Sequence, residues 1–244
     1  MAAVEQQRLP TLIDETVLFA HRGARAHAPE NTMEAFRLAL RLGATGLESD
    51  VWVTSDDVPV LDHDGKVPAG KLRSRSIRDV PASSLPAHIP HLEEVLELLS
   101  EEPDLHLSLD VKDDSAFGPT LQTIHTNDSN LPARVWLCHP NAESLQLYRR
   151  AFPEVRLVNS VRFGSIREGV ERRCARLSNE GIDALNMRID DWNGGLVTLA
   201  HRFSLYAFGW NLQHDYELRT GLRMGLDGVF SDHVDRMVDA AAQP

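Results

Sequence analysis

Short apolar runs alternate with longer amphipathic ones along most of the chain. Eight runs read as strands: Val17 to Ala20, Gly46 to Val53, Leu105 to Val111, Arg134 to Cys138, Arg156 to Val161, Ile182 to Met187, Leu205 to Phe208 and Gly228 to Phe230. Helical spacing appears between and after them. In Thr32 to Leu42 the apolar positions Met33, Phe36, Leu38, Ala39 and Leu42 share one helical face. Asn31 can cap that helix, Glu34 follows in its first turn, and Gly43 lies past its end. His91 to Leu99, Asn141 to Ala151, Ser165 to Asn179, Gly195 to Arg202, Asp215 to Met224 and Val234 to Ala241 read the same way, and a weaker helix is expected near Pro119 to Thr126. Eight strand–helix units in 244 residues predict an α/β fold, a (β/α)8 TIM barrel forming one domain over residues 1–244. A doubly wound open sheet is the alternative. From Asp64 to Pro90 no period is found, and Pro, Ser, Arg and Lys abound. That segment is expected as an excursion after the second strand, on the face where barrel enzymes carry their chemistry.

Several polar residues sit where such strands end. FAHRGARAHAPENT places His21 and Arg22 just past the first strand. Histidine titrates near neutrality and suits proton transfer, and arginine presents a planar fork of donors to phosphate or carboxylate oxygens. In GLESDVWV, Glu48 and Asp50 are two residues apart, so on a strand they face the same side, with Leu47, Val51 and Val53 on the other. Two carboxylates aimed into a barrel mouth repel each other unless a cation lies between them. A hard divalent ion, Mg2+ or Ca2+, answers that need; salt bridges to arginine or lysine are the bland alternative. VPVLDHDG then offers His63, either a second proton-transfer group or a surface histidine in a turn. In LHLSLDVKDD the inward positions are His106, Ser108, Asp110 and Lys112. Asp110 is a third candidate metal ligand and Lys112 a candidate phosphate contact, or the two form an ion pair.

Charge and composition narrow the partners. Lys and Arg total 25 against 36 Asp and Glu, a formal net charge of −11. Nucleic acid and anionic membrane are thus excluded as main partners, since both would be repelled at long range. An anionic substrate needs a local cation. Cys138 and Cys174 are too few for a disulfide framework and read as free thiols. The start MAAVEQQRLPTLIDETV lacks the pattern of a secretory leader, and no apolar run is long enough to span a bilayer. A cytoplasmic protein without integral membrane association is expected, with homodimerisation left open.

The ordered set His21-Arg22-Gly23, Ala28 to Thr32, Ala35-Phe36, Gly43-Ala44, Glu48-Ser49-Asp50, Thr54 and Asp56, Pro59-Val60 and His63-Asp64 resembles the glycerophosphodiester phosphodiesterase family. Weaker similarity extends to Ile89 to Leu96, Phe208 to Asn211 and Leu226 to Asp232. The resemblance implies a TIM barrel that hydrolyses a small glycerophosphodiester to glycerol phosphate and an alcohol. It implies one divalent metal ion on Glu48, Asp50 and Asp110, His21 and His63 as the acid/base pair, and Arg22 and Lys112 as phosphate contacts. The family mechanism uses a neighbouring hydroxyl of the substrate as nucleophile and passes through a cyclic phosphate. A lysophospholipase D-like enzyme and a phosphodiester-binding barrel without turnover are the alternatives. Three departures stand out. Asp110 replaces the family's usual glutamate, His139 stands where the family often has Ser-Phe, and His233-Val234 replaces Arg-Pro after the final aspartate. The excursion lacks the usual Arg-Thr-Thr stretch and is expected to shape the leaving-group pocket.

Overall fold

In a computed structural model of the chain, which describes residues 9–70, 73–127 and 131–242, the first strand pairs with both the second and the last. In chain order the elements are β1 (Val17–Ala20), α1 (Met33–Arg41), β2 (Gly46–Val53), β3 (Pro59–Leu61), β4 (Lys66–Pro68), β5 (Ser74–Ser76), α2 (Leu92–Glu101), β6 (His106–Val111), α3 (Asp114–Asn127), β7 (Val135–His139), α4 (Ala142–Arg149), β8 (Arg156–Ser160), α5 (Val170–Asn179), β9 (Ala184–Arg188), α6 (Gly194–Arg202), β10 (Tyr206–Trp210), α7 (Asp215–Arg223), β11 (Gly228–Ser231) and α8 (Val234–Ala242). Strands β1, β2 and β6 to β11 are all parallel and form a closed ring. The fold is therefore the TIM barrel, and ring closure rules out the open sheet. Strands β7, β9, β10 and β11 end one or two residues beyond their apolar runs, because the ladder of hydrogen bonds, not apolarity, sets where a strand stops.

Alternation along the strands divides the core in two. Leu47, Leu107, Leu109, Leu137, Leu157 and Leu185 face outward and pack with the helices. Val17, Phe19, Trp136, Phe208 and Phe230 face inward and plug the lower barrel. The Phe19 and Phe230 rings stack 4.5 Å apart, and Trp136 meets Phe208 edge-on at 4.8 Å. Phe19 has room because its β2 neighbour is Gly46, where a Cβ would lie 2.5 Å from the ring.

Helix α1 is capped by Thr32, whose hydroxyl accepts from Ala35 N–H, and not by Asn31 as the sequence suggested. Asn31 takes a left-handed φ of 53°. Its side chain turns inward instead, accepting from Ser49 Oγ at 2.7 Å and donating to Asp50 at 3.4 Å. The excursion holds an antiparallel pair, β4 and β5, and two short 3-10 turns at Ile77–Asp79 and Ala82–Ser84. Val60, Val67, Ile77, Val80 and Ile89 bury one another in a small satellite cluster against Trp52. An Arg78–Asp113 ion pair pins the segment to the end of β6. Among the described residues no helix is long and apolar enough to cross a membrane. The first eight residues of the leader-free N-terminal reading, and Leu72 of the excursion, lie outside the described residues.

Candidate active site

At the end of β1 the chain turns through two left-handed residues, Arg22 at φ 52° and Gly23 at φ 77°. Only glycine fits the second position, since a Cβ there would lie 2.7 Å from Ala35 Cβ. The turn directs Arg22 N–H to Glu48 Oε2 at 2.9 Å and holds His21 Nε2 3.8 Å from the same oxygen. Non-glycine residues held at positive φ cost energy and concentrate at functional sites.

Strands β2 and β6 supply the acidic wall. Their register sets Glu48 beside Ser108 and Asp50 beside Asp110, all on the inward face. Lys112, one pleat beyond Asp110, places Nζ 2.9 Å from Asp110 Oδ2 and 3.0 Å from Asp50 Oδ1. Arg22 Nε lies 3.3 Å from Asp50 Oδ2, and its NH1 donates to Glu30 at 3.2 Å. From the last strand's end, Asp232 Oδ1 meets His21 Nδ1 at 2.5 Å.

His21, Arg22, Glu48, Asp50, Asp110 and Lys112 thus line one cavity of about 300 Å3 at the C-terminal mouth of the barrel. His63 does not line it. Asp62 N–H donates to Asp50 C=O, so His63 stands just outside the rim, partly exposed, with Nδ1 2.8 Å from Asp64. His139 turns away to Asp114 at 3.4 Å. Among the described residues, none of those in the excursion lines the cavity either. Val67, Ile77, Val80 and Ile89 of the excursion are buried in their own cluster rather than turned to the cavity. The wall opposite the carboxylates comes from Ser160, Asn186, Trp210, Asn211 and Gln213 at the ends of β8, β9 and β10. Sequence reasoning passed over Ser160, Asn186 and Gln213. Polar residues at inward positions near strand ends were the available signal, the same one that singled out Ser108 and Asp110. Asn186 Nδ2 donates to Ser160 Oγ at 3.1 Å, while its Oδ1 is buried without a partner.

Electrostatics tie these groups together. Burial pushes Glu48 up to about 7; the Asp50 and Asp110 charges add to this, and His21 and Arg22 N–H oppose it. Burial alone would depress His21, but Glu48 and Asp232 outweigh it and raise its pKa. Burial also works against the Lys112 charge, yet Asp110 and Asp50 hold its pKa above the usual lysine range. Burial pushes the Cys138 thiol far up, so this cavity residue is protonated and unsuited to attack as a thiolate.

Glu48, Asp50 and Asp110 offer only oxygen donors on one wall, which suits a hard divalent cation. The Asp50 and Asp110 charges that add to the effect of burial on Glu48 are of the kind a cation relieves. As placed, Lys112 stands between the two aspartates. Lys112 Nζ contacts both Asp50 and Asp110, so a cation taking either carboxylate competes with it. Among the described residues, the trio of ligand groups whose donor atoms all lie within 4.8 Å of one another is a different one, His27, His233 and Asp235.

A sequence model of the glycerophosphoryl diester phosphodiesterase family matches residues 21–236. A glycerophosphodiester phosphodiesterase of Bacillus altitudinis is 25% identical over 240 residues, covering 91% of this chain and 97% of that protein. Rat glycerophosphodiester phosphodiesterase 1 is 54% identical over 54 residues, 22% of this chain and 16% of that one. Among solved structures, the glycerophosphodiester phosphodiesterase of Thermotoga maritima superposes with a TM-score of 0.77 at 24% identity, covering 93% of this chain and 99% of that one. An Oleispira antarctica phosphodiesterase in complex with the product sn-glycerol-3-phosphate gives 0.79 at 21%, covering 94% and 98%. At these identities the superpositions speak for the fold alone.

Proposed function

Since this chain belongs to the glycerophosphoryl diester phosphodiesterase family, we propose that it hydrolyses small glycerophosphodiesters to glycerol phosphate and an alcohol, with a hard divalent cation and two histidines. The supporting observation is the convergence of three carboxylates, Lys112, Arg22 and His21 on one cavity of about 300 Å3. That volume is at the small end for ligand sites and suits a compact polar diester.

Glu48 and Asp50 would hold the cation, with Asp110 as the third carboxylate. When bound, the ion supplies Lewis-acid polarisation of a phosphoryl oxygen. Lys112 and Arg22 bind the remaining phosphate oxygens, Arg22 being oriented by Glu30. His21 is the base. Asp232 holds its Nδ1, leaving Nε2 to accept a proton inside the cavity. The proton comes from a substrate hydroxyl that neighbours the phosphate, and this oxygen attacks phosphorus to give a cyclic phosphate. The alcohol leaves with a proton from His63, whose loop must bring the imidazole over the rim. Water then opens the ring with the two histidines in exchanged roles. The uncommitted Asn186 Oδ1 accepts a hydrogen bond from a glycerol hydroxyl on the opposite wall. The lysophospholipase D-like reading finds no apolar mouth in the excursion, whose Val67, Ile77 and Val80 are buried.

The test is hydrolysis of a panel of glycerophosphodiesters, with and without chelator. Activity on compact headgroups that vanishes on chelation and returns with Mg2+, Ca2+ or Mn2+ is expected. Full activity after exhaustive chelation would reject the cation, and binding without turnover across the panel would reject the hydrolase.

A further inference from the structure

Beside the cavity, and outside it, two segments far apart in sequence bring together a second set of ligand groups. His27 lies in the loop after β1, and His233 and Asp235 lie where β11 passes into α8. Their donor atoms are all within 4.8 Å of one another. His27 Nε2 is 3.1 Å from Asp235 Oδ1, and the two imidazole rings meet edge-on with centroids 6.4 Å apart. The scaffold around them is fixed. Ala26 N–H donates to Asp232 C=O, and the adjacent Arg25 is neutralised by Glu30 at 2.5 Å and Asp232 at 3.5 Å. His233 N–H donates to Ser231 Oγ at 3.1 Å, which sets the start of α8.

From this geometry we propose that His27, His233 and Asp235 form a second metal site, selective for a borderline transition ion of the Zn2+ type. Two imidazoles and one carboxylate suit Zn2+ and the ions near it, whereas Mg2+ and Ca2+ prefer oxygen. Tetrahedral Zn2+ with bonds of about 2.0–2.1 Å sets its ligand atoms about 3.3 Å apart. His27 and Asp235 are exposed and His233 is half-buried, so modest side-chain rotation can close them to that distance. Solvent supplies the fourth ligand. The ion breaks the His27–Asp235 hydrogen bond and replaces it with two coordinate bonds, so the loop carrying His21 and Arg22 is tied to the start of α8. His233 falls at one of the departures noted in the sequence, where the resembled family usually has arginine, a residue that does not ligate metal.

The full-length, untagged protein in excess Mg2+ is titrated with Zn2+ against a chromophoric chelator, and with Co2+ by visible absorption. One equivalent of tight Zn2+ is expected, with the intense visible bands of tetrahedral Co2+. The His27→Ala/His233→Ala double variant is expected to weaken Zn2+ by at least 10- to 100-fold, the range that even outer-shell partners command. Asp235→Asn keeps the shape, is expected to weaken Zn2+ in the same direction, and serves if the double variant folds poorly. A Glu48→Gln/Asp50→Asn variant is expected to retain the Zn2+ equivalent. Zn2+ affinity unchanged in the double variant or in Asp235→Asn, or lost in Glu48→Gln/Asp50→Asn, would overturn the proposal.

Discussion

Asp232 Oδ1 lies 2.5 Å from His21 Nδ1 although 211 positions separate the two residues. The contact fixes the imidazole's orientation and adds to the charges that raise its pKa against the effect of burial. Asp232→Asn removes that charge and keeps the shape. We expect kcat/KM to fall by roughly 10- to 100-fold, the loss typical for a partner that orients a functional histidine. The acidic limb of the pH profile should move to lower pH, because the base then loses its proton more readily. An unchanged limb together with an unchanged rate would remove Asp232 from the site.

Glu48 makes metal-free stability depend on pH in an uncommon direction. Its pKa is about 7 when folded against 4.5 ordinarily, burial being the main cause. Between those values the folded chain holds a proton that the unfolded chain has released, so stability falls as pH rises through the window. Thermal melts in chelator from pH 4.5 to 7.5 should show this decline, and Glu48→Gln should flatten it. Parallel curves for the two proteins would contradict the assignment.

Lys112 competes with any cation for Asp50 and Asp110. Removing its charge in Lys112→Met leaves those carboxylates less compensated, so Mg2+ affinity should rise while turnover falls. Calorimetric titration and steady-state kinetics check the two directions separately. Asp110→Asn should weaken the metal and Asp110→Glu should retain it. If Asp110→Asn binds Mg2+ as the wild type does, Asp110 serves Lys112 alone.

His63 is expected to contribute through its proton. General acid–base groups are worth about 10²- to 10⁴-fold, so His63→Ala should lower kcat by that much with thermal stability nearly unchanged. Near-normal turnover would leave His63 only a positional role at the rim.

Asn186 Oδ1 is a buried acceptor on the cavity wall. A net hydrogen bond contributes about 0.5–1.5 kcal/mol. Asn186→Leu should therefore lower kcat/KM by roughly 2- to 10-fold on glycerophosphodiesters and leave unaffected a substrate that keeps the hydroxyl neighbouring the phosphate but lacks the other glycerol hydroxyl. Equal losses on both substrates would mean the variant acts through packing.

The barrel was legible because period-2 and helical patterns alternate on both sides of the Asp64–Pro90 excursion, and each inward face of β2 and β6 could be read from its pleat. The carboxylate wall followed from that pleat alone. What sequence could not supply was contact between segments. Asp232 appeared only within a terminal motif, since nothing local says that β11 closes beside β1. Asn31 looked like a helix cap because Asn at such a position commonly is one, but the deeper pull of Ser49 and Asp50 won. His63 was placed by motif order, and where the side chain of a turn residue points depends on the loop rather than on any period. The excursion carries no period, so the sequence did not show that Val67, Ile77, Val80 and Ile89 bury one another.

Closure of the ring by β1 against β11 has a consequence during synthesis. Val17 pairs with Gly228, so the first strand made waits for the last. At roughly 5–20 residues per second the delay lasts about 10–40 s. For about the latter half of it the growing chain already carries Glu48, Asp50, Asp110 and Lys112, while His21 lacks its Asp232 partner. The carboxylate wall is thus synthesised well before the strand that closes the ring, and the His21–Asp232 contact can form only after that strand emerges.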